Sequence, residues 1–392
     1  MSEWKEYKLG ELGKIVTGKT PPTSQHQNYD GDIPFICIPD LGKSRFIFHT
    51  NKTISKIGLE TVKNCSLPKG SVVVSCIATI GQVGITTKDI SVTNQQINSL
   101  IPDSNLITEE FCYYYFKNLG EDLAQFGGGG SIFEIISKDK FSKVYLTIPS
   151  LPEQTAIASV LSSLDDKIDL LHRQNATLEK MGETLFRQWF VEDAKEEWEC
   201  YKLKDLVKHV KPGTNFQPKR IEYGIPFLNV RNLNNGFIDL SDTTKISKEE
   251  YQRVHKNWEP EENDILISRI GTLGIVAVIQ GSDLPVAVHN NMINLKAKTI
   301  SYQFLYFLLK SQLFKEKYFS NVRQSVQEYV TIEDTENVEI SLPIGTDLFK
   351  EHEIAFNELF NKIKSNQTQI RTLTALRDTL LPKLMSGEIR VL

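Results

Sequence analysis

The sequence predicts an α+β protein, with two similar α/β heads in pseudo-two-fold tandem separated by an antiparallel coiled coil of two long helices. Three observations predict it. The chain repeats itself over nearly its whole length, each repeat opens with short β-branched runs between glycine-rich turns, and each closes with a long heptad stretch. At 392 residues the chain also exceeds the size at which one hydrophobic core stops growing, so more than one domain is required.

Sliding the sequence against itself reveals the duplication. Trp4-x-x-Tyr7-x-Leu9-x-x-Leu12 returns without a gap as Trp198-x-x-Tyr201-x-Leu203-x-x-Leu206, and Ile33-Pro34-Phe35-Ile36 returns as Ile225-Pro226-Phe227-Leu228. Gly81-x-x-Gly84-Ile85 returns as Gly271-x-x-Gly274-Ile275, and Phe111-x-Tyr113-x-x-x-Lys117 as Phe304-x-Tyr306-x-x-x-Lys310. Val144-x-Leu146-x-Ile148-Pro149 returns as Val338-x-Ile340-x-Leu342-Pro343, and Ser131-x-x-Glu134 as Ser325-x-x-Glu328. The offset stays between 190 and 196, as loop insertions would make it. Solenoids repeat every ~20–50 residues. A period this long is a duplicated domain with its connector.

In chain order, residues 1–150 form the first head. The greasy stretch from Val72 to Ile85 is broken by Ser75, Thr79, Gly81 and Gln82, which makes it core strand rather than membrane span. Glu109–Leu119 is apolar nearly all round, predicting a buried helix, and Pro149 closes the head. Residues 151–190 form the first spacer helix. Between Glu153 and Phe190 there is no proline, a single glycine and a seven-residue repeat. The second head, 191–343, repeats the plan with a strand at Asp264–Ile267, one helix over 301–319 and Pro343. Residues 344–392 supply the second spacer helix and a tail.

The two apolar columns must be buried, and each is the simplest cover for the other. The predicted seam runs through Ile157, Leu161, Leu164, Ile168, Leu171, Asn175 and Leu178 on one helix, and Leu359, Ile363, Asn366, Ile370, Leu373 and Leu380 on the other. Two-fold symmetry makes the pair antiparallel. Placing Asn175 against Asn366 sets Leu171 beside Ile370 and Ile168 beside Leu373, with the asparagines fixing register. The competing arrangement packs each helix on its own head. At ~1.5 Å per residue, the stretch from Glu153 to Phe190 is about 57 Å long, more than one ~34 Å turn of B-DNA. Two heads on such a bar suit two half-sites separated by unread base pairs.

Composition excludes more than it identifies. The five cysteines include no CxxC pair, and the seven histidines have no metal-ligand spacing, which fits a reducing cytoplasm. The opening Met1-Ser2-Glu3-Trp4-Lys5-Glu6 is polar and acidic, against a secretory signal. The net charge of −4 points to no particular partner. Locally, residues 43–69 carry six Lys/Arg against Glu60, and residues 202–231 carry seven against Asp205 and Glu222.

Catalytic signatures are missing: there is no GxSxG, HExxH, DPPY or NPPF, and Gly127–Gly130 is too irregular for a dinucleotide fingerprint. Gly13-Lys14-Ile15-Val16-Thr17-Gly18-Lys19-Thr20 does fit the phosphate-binding pattern GxxxxGK[ST]. However, Pro21 and Pro22 follow at once, and its duplicate, Val207–Thr214, lacks the pattern. A loop whose Lys19 and Thr20 meet DNA phosphates suits it better than a nucleotide site. Arg and Lys match guanine edges and Asn and Gln match adenine edges, so the DNA-binding candidates are Lys43, Arg45 and Gln82 in the first head. In the second they are Lys211, Lys219, Arg220, Arg231, Arg269, Arg323 and Gln324. Asn94-Gln95 and Asn290-Asn291 occupy matching positions, which suits a shared structural turn more than base contact.

Across its whole length the chain resembles the specificity subunits of type I restriction–modification enzymes. The resemblance rests on Leu151-Pro152-Glu153-Gln154 entering the first long helix and Leu185-Phe186-Arg187-Gln188-Trp189-Phe190 leaving it. It rests also on Trp4–Thr20 and on the run from Leu376 to Ile389, which includes Leu381-Pro382-Lys383-Leu384-Met385-Ser386-Gly387-Glu388. One departure is Thr346-Asp347-Leu348-Phe349, standing where the first half has Pro152-Glu153-Gln154. The resemblance implies two target-recognition domains that each read one part of a bipartite site on double-stranded DNA. It implies a chain with no catalysis of its own, recruiting two methyltransferase subunits and restriction–motor subunits. S-adenosylmethionine, ATP and magnesium would belong to those partners. Two other readings stand beside it: a nucleotide-binding protein using Gly13–Thr20, and a coiled-coil adaptor without affinity for DNA.

Overall fold

The computed structural model describes residues 4–42, 44–127, 136–323 and 328–391. The chain divides into two compact units, Met1–His172 with Thr368–Leu392, and Arg173–Gln367. The long helices Leu151–Arg187 and Asp347–Met385 therefore each contribute residues to both.

In the first unit a five-stranded sheet has the spatial order Gly13–Thr17, Ile97–Pro102, Val72–Ser75, Val83–Thr86, Phe46–Ile47. Neighbours are antiparallel except the last pair. A four-stranded sheet orders Lys52–Ile54, Tyr29–Ile36, Ser91–Thr93 and Ser66–Leu67, and a ribbon pairs Lys5–Lys8 with Tyr145–Ile148. The all-apolar run Val72-Val73-Val74 is wholly buried because both faces of this sheet are covered. Leu100 and Val74 pack toward the helix Glu109–Leu119, while Val73 and Ile97 join a second cluster with Ile36 and Leu67. Thr108 caps that helix by accepting from Phe111 N–H at 3.3 Å, and Glu109 and Glu110 place negative charge at its N-terminus.

The second unit repeats this topology with an added edge strand in each sheet and without a counterpart of Ser66–Leu67. Its main sheet orders Val207–Pro212, Met292–Ala297, Ile265–Ser268, Val276–Val278, Phe237–Ile238 and Leu233–Asn234. A four-stranded sheet and the ribbon Glu199–Lys202 with Glu339–Leu342 complete it. One element departs from expectation: the helix over 301–319 is two helices, Tyr302–Lys310 and Gln312–Phe319. Ser311 breaks it by adopting extended geometry (φ −63°, ψ 151°). Its N–H bonds Leu308 O, and its hydroxyl caps the next helix by accepting from Phe314 N–H at 3.1 Å.

The long helices both clasp each other and dock on the heads, so the two competing arrangements coexist. In the first unit Ile168, Leu171 and Ile370 form a buried cluster, with Leu373 against it. Toward the head, Ile157 and Leu161 enter the head's own core together with Leu381, Leu384 and Met385, with Leu380 against them and Leu164 half-buried. In the second unit Asn366 Nδ2 donates to Asn175 Oδ1 at 2.8 Å. Beyond that pair Ile363, with Leu178 and Leu359 alongside, joins Phe186, Phe356 and Phe360 in the core of the second head. Phe360 lies off both heptad columns, yet it is fully buried because it faces Phe237, Tyr302 and Tyr306 of the head. Full burial of such side chains contributes about 1.5–3 kcal/mol each.

Gly182, the one glycine of Leu151–Arg187, has a packing reason. A Cβ there would run into the ring of Phe307 on the head's buried helix. At the helix starts, Gln154 is fully buried, accepting from Thr108 N–H at 3.0 Å and donating to Leu106 O and Pro149 O. In the second unit, where the Leu-Pro-Glu-Gln motif is absent, Glu353 accepts from Ser301 N–H instead, and Thr346 caps its helix through Phe349 N–H.

Candidate nucleic-acid interface

Where strands Gly13–Thr17 and Val207–Pro212 end, which we call the tip of each head, the two heads share a set of backbone hydrogen bonds. In the first, Thr17 lies opposite Asn98, Gly18 N–H donates to Ile97 O (3.1 Å), Lys19 N–H to Thr93 O (2.9 Å) and Asn94 N–H to Ile36 O (3.2 Å). In the second, Pro212 lies opposite Ile293, Gly213 N–H donates to Met292 O (3.1 Å), Thr214 N–H to Val288 O (2.8 Å) and His289 N–H to Leu228 O (3.1 Å). Gly18 thus corresponds to Gly213, Lys19 to Thr214 and Thr20 to Asn215. Asn94-Gln95-Gln96 corresponds to His289-Asn290-Asn291. Glycine is needed at the first position because a Cβ would strike the Thr93–Asn94 backbone in one head and the Val288–His289 backbone in the other.

This correspondence corrects two of the matches drawn between the halves. The offset is 194 at Trp4 and Trp198 but 195 at these tips. An irregularity in strand Val207–Pro212, between Val207 and His209, adds the residue. Matching Thr20 with Thr214, or Asn94-Gln95 with Asn290-Asn291, is out of step by one.

The nucleotide reading of Gly13–Thr20 is also corrected. Gly13–Thr17 is a sheet strand, and the Gly18 and Lys19 amides that would cradle a phosphate are spent on the Ile97 and Thr93 carbonyls. The segment feeds Pro21 and Pro22 rather than a helix N-terminus.

Each tip carries two polar side chains held to one another. Thr20 Oγ1 donates to Gln95 Oε1 at 2.6 Å. At the corresponding place Asn290 Nδ2 donates to Asn215 Oδ1. Beneath them the turns close alike: Gln96 N–H donates to Asn94 Oδ1 at 3.1 Å, and Asn291 N–H to His289 Nδ1 at 3.3 Å. Gln95 and Asn215 are exposed, as is Lys19. Next to Asn215, the Arg253 guanidinium lies 4.1 Å from the Phe216 ring centroid. In the same head Tyr223 is 78% exposed, with Lys245 Nζ 5.8 Å from its ring. Basic groups interleaved with open aromatic faces suit a polyanion whose bases can be contacted.

The candidates drawn from the sequence fall into distinct settings. Lys19 and Thr20 sit at the first tip, and Lys211, Lys219 and Arg220 are exposed in the second head, where Arg220 lies opposite Ile246. Arg231 is exposed and pairs with Asp242 at 3.4 Å, and Arg323 pairs with Asp334 at 3.2 Å. Gln82 is half-buried, its N–H donating to Ser75 Oγ. Arg269 is turned inward beneath the second tip: Nε donates to Asn290 O and Nη1 to Val330 O, each at 3.0 Å. Its first-head counterpart is the buried Cys76, whose N–H bonds Gln96 O as Arg269 N–H bonds Asn291 O. Lys43 and Gln324 lie outside the described residues. Sequence reasoning set aside Gln95 and Asn290 and missed Asn215, Phe216 and Tyr223. The signal for Asn215 was the one-residue shift after Val207.

Arg45 is committed elsewhere. Its side chain is 8% exposed, donating to Asp166 at 2.8 Å and to Tyr114 Oη at 3.1 Å. Tyr114 in turn donates to Asp165, which also receives Lys117 at 3.4 Å and Arg377 at 2.8 Å. Burial would raise the Asp165 carboxyl, but Lys117, Arg377 and Tyr114 outweigh it and hold the group below its ordinary value. Burial pushes Lys117 down. The corresponding Lys310 meets Glu179 at 2.7 Å, where Tyr306 also donates. In each unit the shared lysine takes its acid from the same helix, Leu151–Arg187.

The pattern of the type I restriction modification DNA specificity domain matches the chain twice, over residues 1–180 and 195–375. The chain is 32% identical to the type I restriction enzyme MjaIX specificity subunit of Methanocaldococcus jannaschii over 99% of its own length and 94% of that protein's. It is 38% identical to the HindI specificity subunit of Haemophilus influenzae over 38% of its length and 32% of that subunit's. Its fold is similar to the crystal structure of the S subunit of a type I restriction-modification system from M. genitalium. The TM-score is 0.57 at 18% identity, covering 98% and 96% of the two chains. Among the described residues no helix is long and apolar enough to cross a membrane.

Proposed function

Since the chain belongs to the type I restriction modification DNA specificity family, we propose that it is the sequence-reading subunit of such a system. Each head reads one half of a bipartite double-stranded DNA target, and the paired helices set the unread gap. The chain performs no chemistry. It recruits two methyltransferase subunits and restriction–motor subunits in the cytoplasm, and these bring S-adenosylmethionine, ATP and magnesium.

The observation that carries this reading is the repetition of the tips. Two heads present polar side chains on the same backbone frame but with different chemistry, Thr20 and Gln95 against Asn215 and Asn290. A shared frame supports two copies of one binding mode, and differing side chains support two different half-sites. The experiment is to express the chain with its partner subunits and map the methylated motifs genome-wide. A bipartite motif with a fixed gap is expected, and a continuous motif or none overturns the proposal. Salt titration of DNA binding separates it from an adaptor, since each phosphate contact contributes a log–log slope of about −0.9.

A further inference from the structure

Building on that reading, we propose that the pairs Thr20–Gln95 and Asn215–Asn290 each specify one base, at the corresponding position of the two half-sites, and that they select different bases. The argument starts from backbone geometry. Matching hydrogen bonds hold Gly18, Lys19, Asn94 and Ile97 in one head as they hold Gly213, Thr214, His289 and Met292 in the other, so the residues that directly follow, Thr20 and Gln95 against Asn215 and Asn290, occupy the same station. At that station each head holds two polar groups in mutual contact. A side chain fixed by a neighbour loses less freedom on meeting a base edge and presents a defined pattern to it.

The patterns differ. In the first head the Gln95 oxygen is engaged by the Thr20 hydroxyl proton, which leaves the two Gln95 N–H groups as the pair's only donors and the Thr20 oxygen as an acceptor beside them. Guanine offers two major-groove acceptors, N7 and O6, to such a group. In the second head one amide N–H of Asn290 is engaged by the Asn215 oxygen. The pair then retains the Asn290 side-chain carbonyl as acceptor, with the second Asn290 N–H and the Asn215 amide as donors. Adenine, with N6–H donating and N7 accepting, matches one of each. The Asn290 backbone is itself braced by Arg269, which donates to its carbonyl at 3.0 Å. Arg269 is therefore a positioning residue for the second pair.

The test is motif mapping of the full complex carrying three variants of this chain. The double exchange Thr20→Asn with Gln95→Asn should convert one position of the first head's half-site from guanine to adenine, leaving the other half-site untouched. The reciprocal Asn215→Thr with Asn290→Gln should do the reverse in the second. Gln95→Ala should relax the same single position, lowering its base preference by roughly 5- to 150-fold. If an exchange abolishes methylation, Gln95→Ala decides: relaxation at one position upholds the proposal. An unchanged motif, a change at another position, or loss of every position in the half-site marks the pair as a structural turn and overturns it. The unmodified complex separates the two levels, since failure of the underlying reading shows there as the absence of any bipartite motif.

Discussion

Asn366, fully buried, donates its side-chain amide to Asn175 Oδ1 at 2.8 Å, and Asn175 reaches back to Ile363 O at 3.4 Å. Two asparagines from opposed helices thus meet where the apolar seam is interrupted. Replacing one of them should cost more than replacing both. Asn175→Leu strands a buried amide, which costs about 1–3 kcal/mol, whereas Asn175→Leu with Asn366→Leu restores an apolar seam. Urea midpoints of the two singles and the double check this. A double variant weaker than either single defeats it.

Gly182 should resist even a methyl group. Alanine is worth about 1 kcal/mol more than glycine in an ordinary helix interior, yet here its Cβ would enter the Phe307 ring. Gly182→Ala is expected to destabilise by about 1–3 kcal/mol, and Phe307→Leu in the same chain should recover part of the loss. Thermal unfolding of the single and double variants is the measurement. A melting point raised by Gly182→Ala would show that the ring yields.

The Asp165 network should give the chain an acid-sensitive limb. The Asp165 carboxyl is held below its unfolded value of 3.8. Its ionised form therefore stabilises the fold above that value, and the contribution drains away as pH falls through the folded value. Asp165→Asn should lower the melting temperature near pH 7 and flatten its decline below about pH 4. Parallel pH profiles for the variant and the parent would contradict this.

Heptad number should act on the gap alone. Removing one heptad from each long helix is expected to change the number of unread base pairs while both half-site sequences persist. Motif mapping again reads the result, and altered half-sites with an unchanged gap would refute it.

These cases show where the sequence was transparent. Asn175 and Asn366 could be placed opposite one another because heptad spacing and two-fold symmetry are arithmetic on residue numbers. The buried helix Glu109–Leu119 was legible because its apolar residues surround it. What escaped depended on single residues acting through backbone geometry. Ser311 looks like any polar residue within an apolar run, but its double role as stop and cap splits one helix into two. The irregularity between Val207 and His209 changes no composition, yet it put the comparison of Gly13–Thr20 with Val207–Thr214 out of step by one position. Arg45 and Arg269 were chosen for their charge, while the structure spends that charge on Asp166 and on carbonyls of the chain. Phe360 was missed because a two-column heptad scheme assumes a helix with one neighbour, and this helix has two.

The division of the chain also has a consequence for how it is made. The first unit needs Thr368–Leu392 to finish its core, since Leu381, Leu384 and Met385 are buried among residues of the amino-terminal head. Translation at roughly 5–20 residues per second separates the emergence of His172 from that of the closing segment by on the order of 10–40 s. Throughout that interval the earliest-born head stands open on one side, while the later-born unit, contiguous from Arg173 to Gln367, can complete itself. The head that leaves the ribosome first is the last to be sealed.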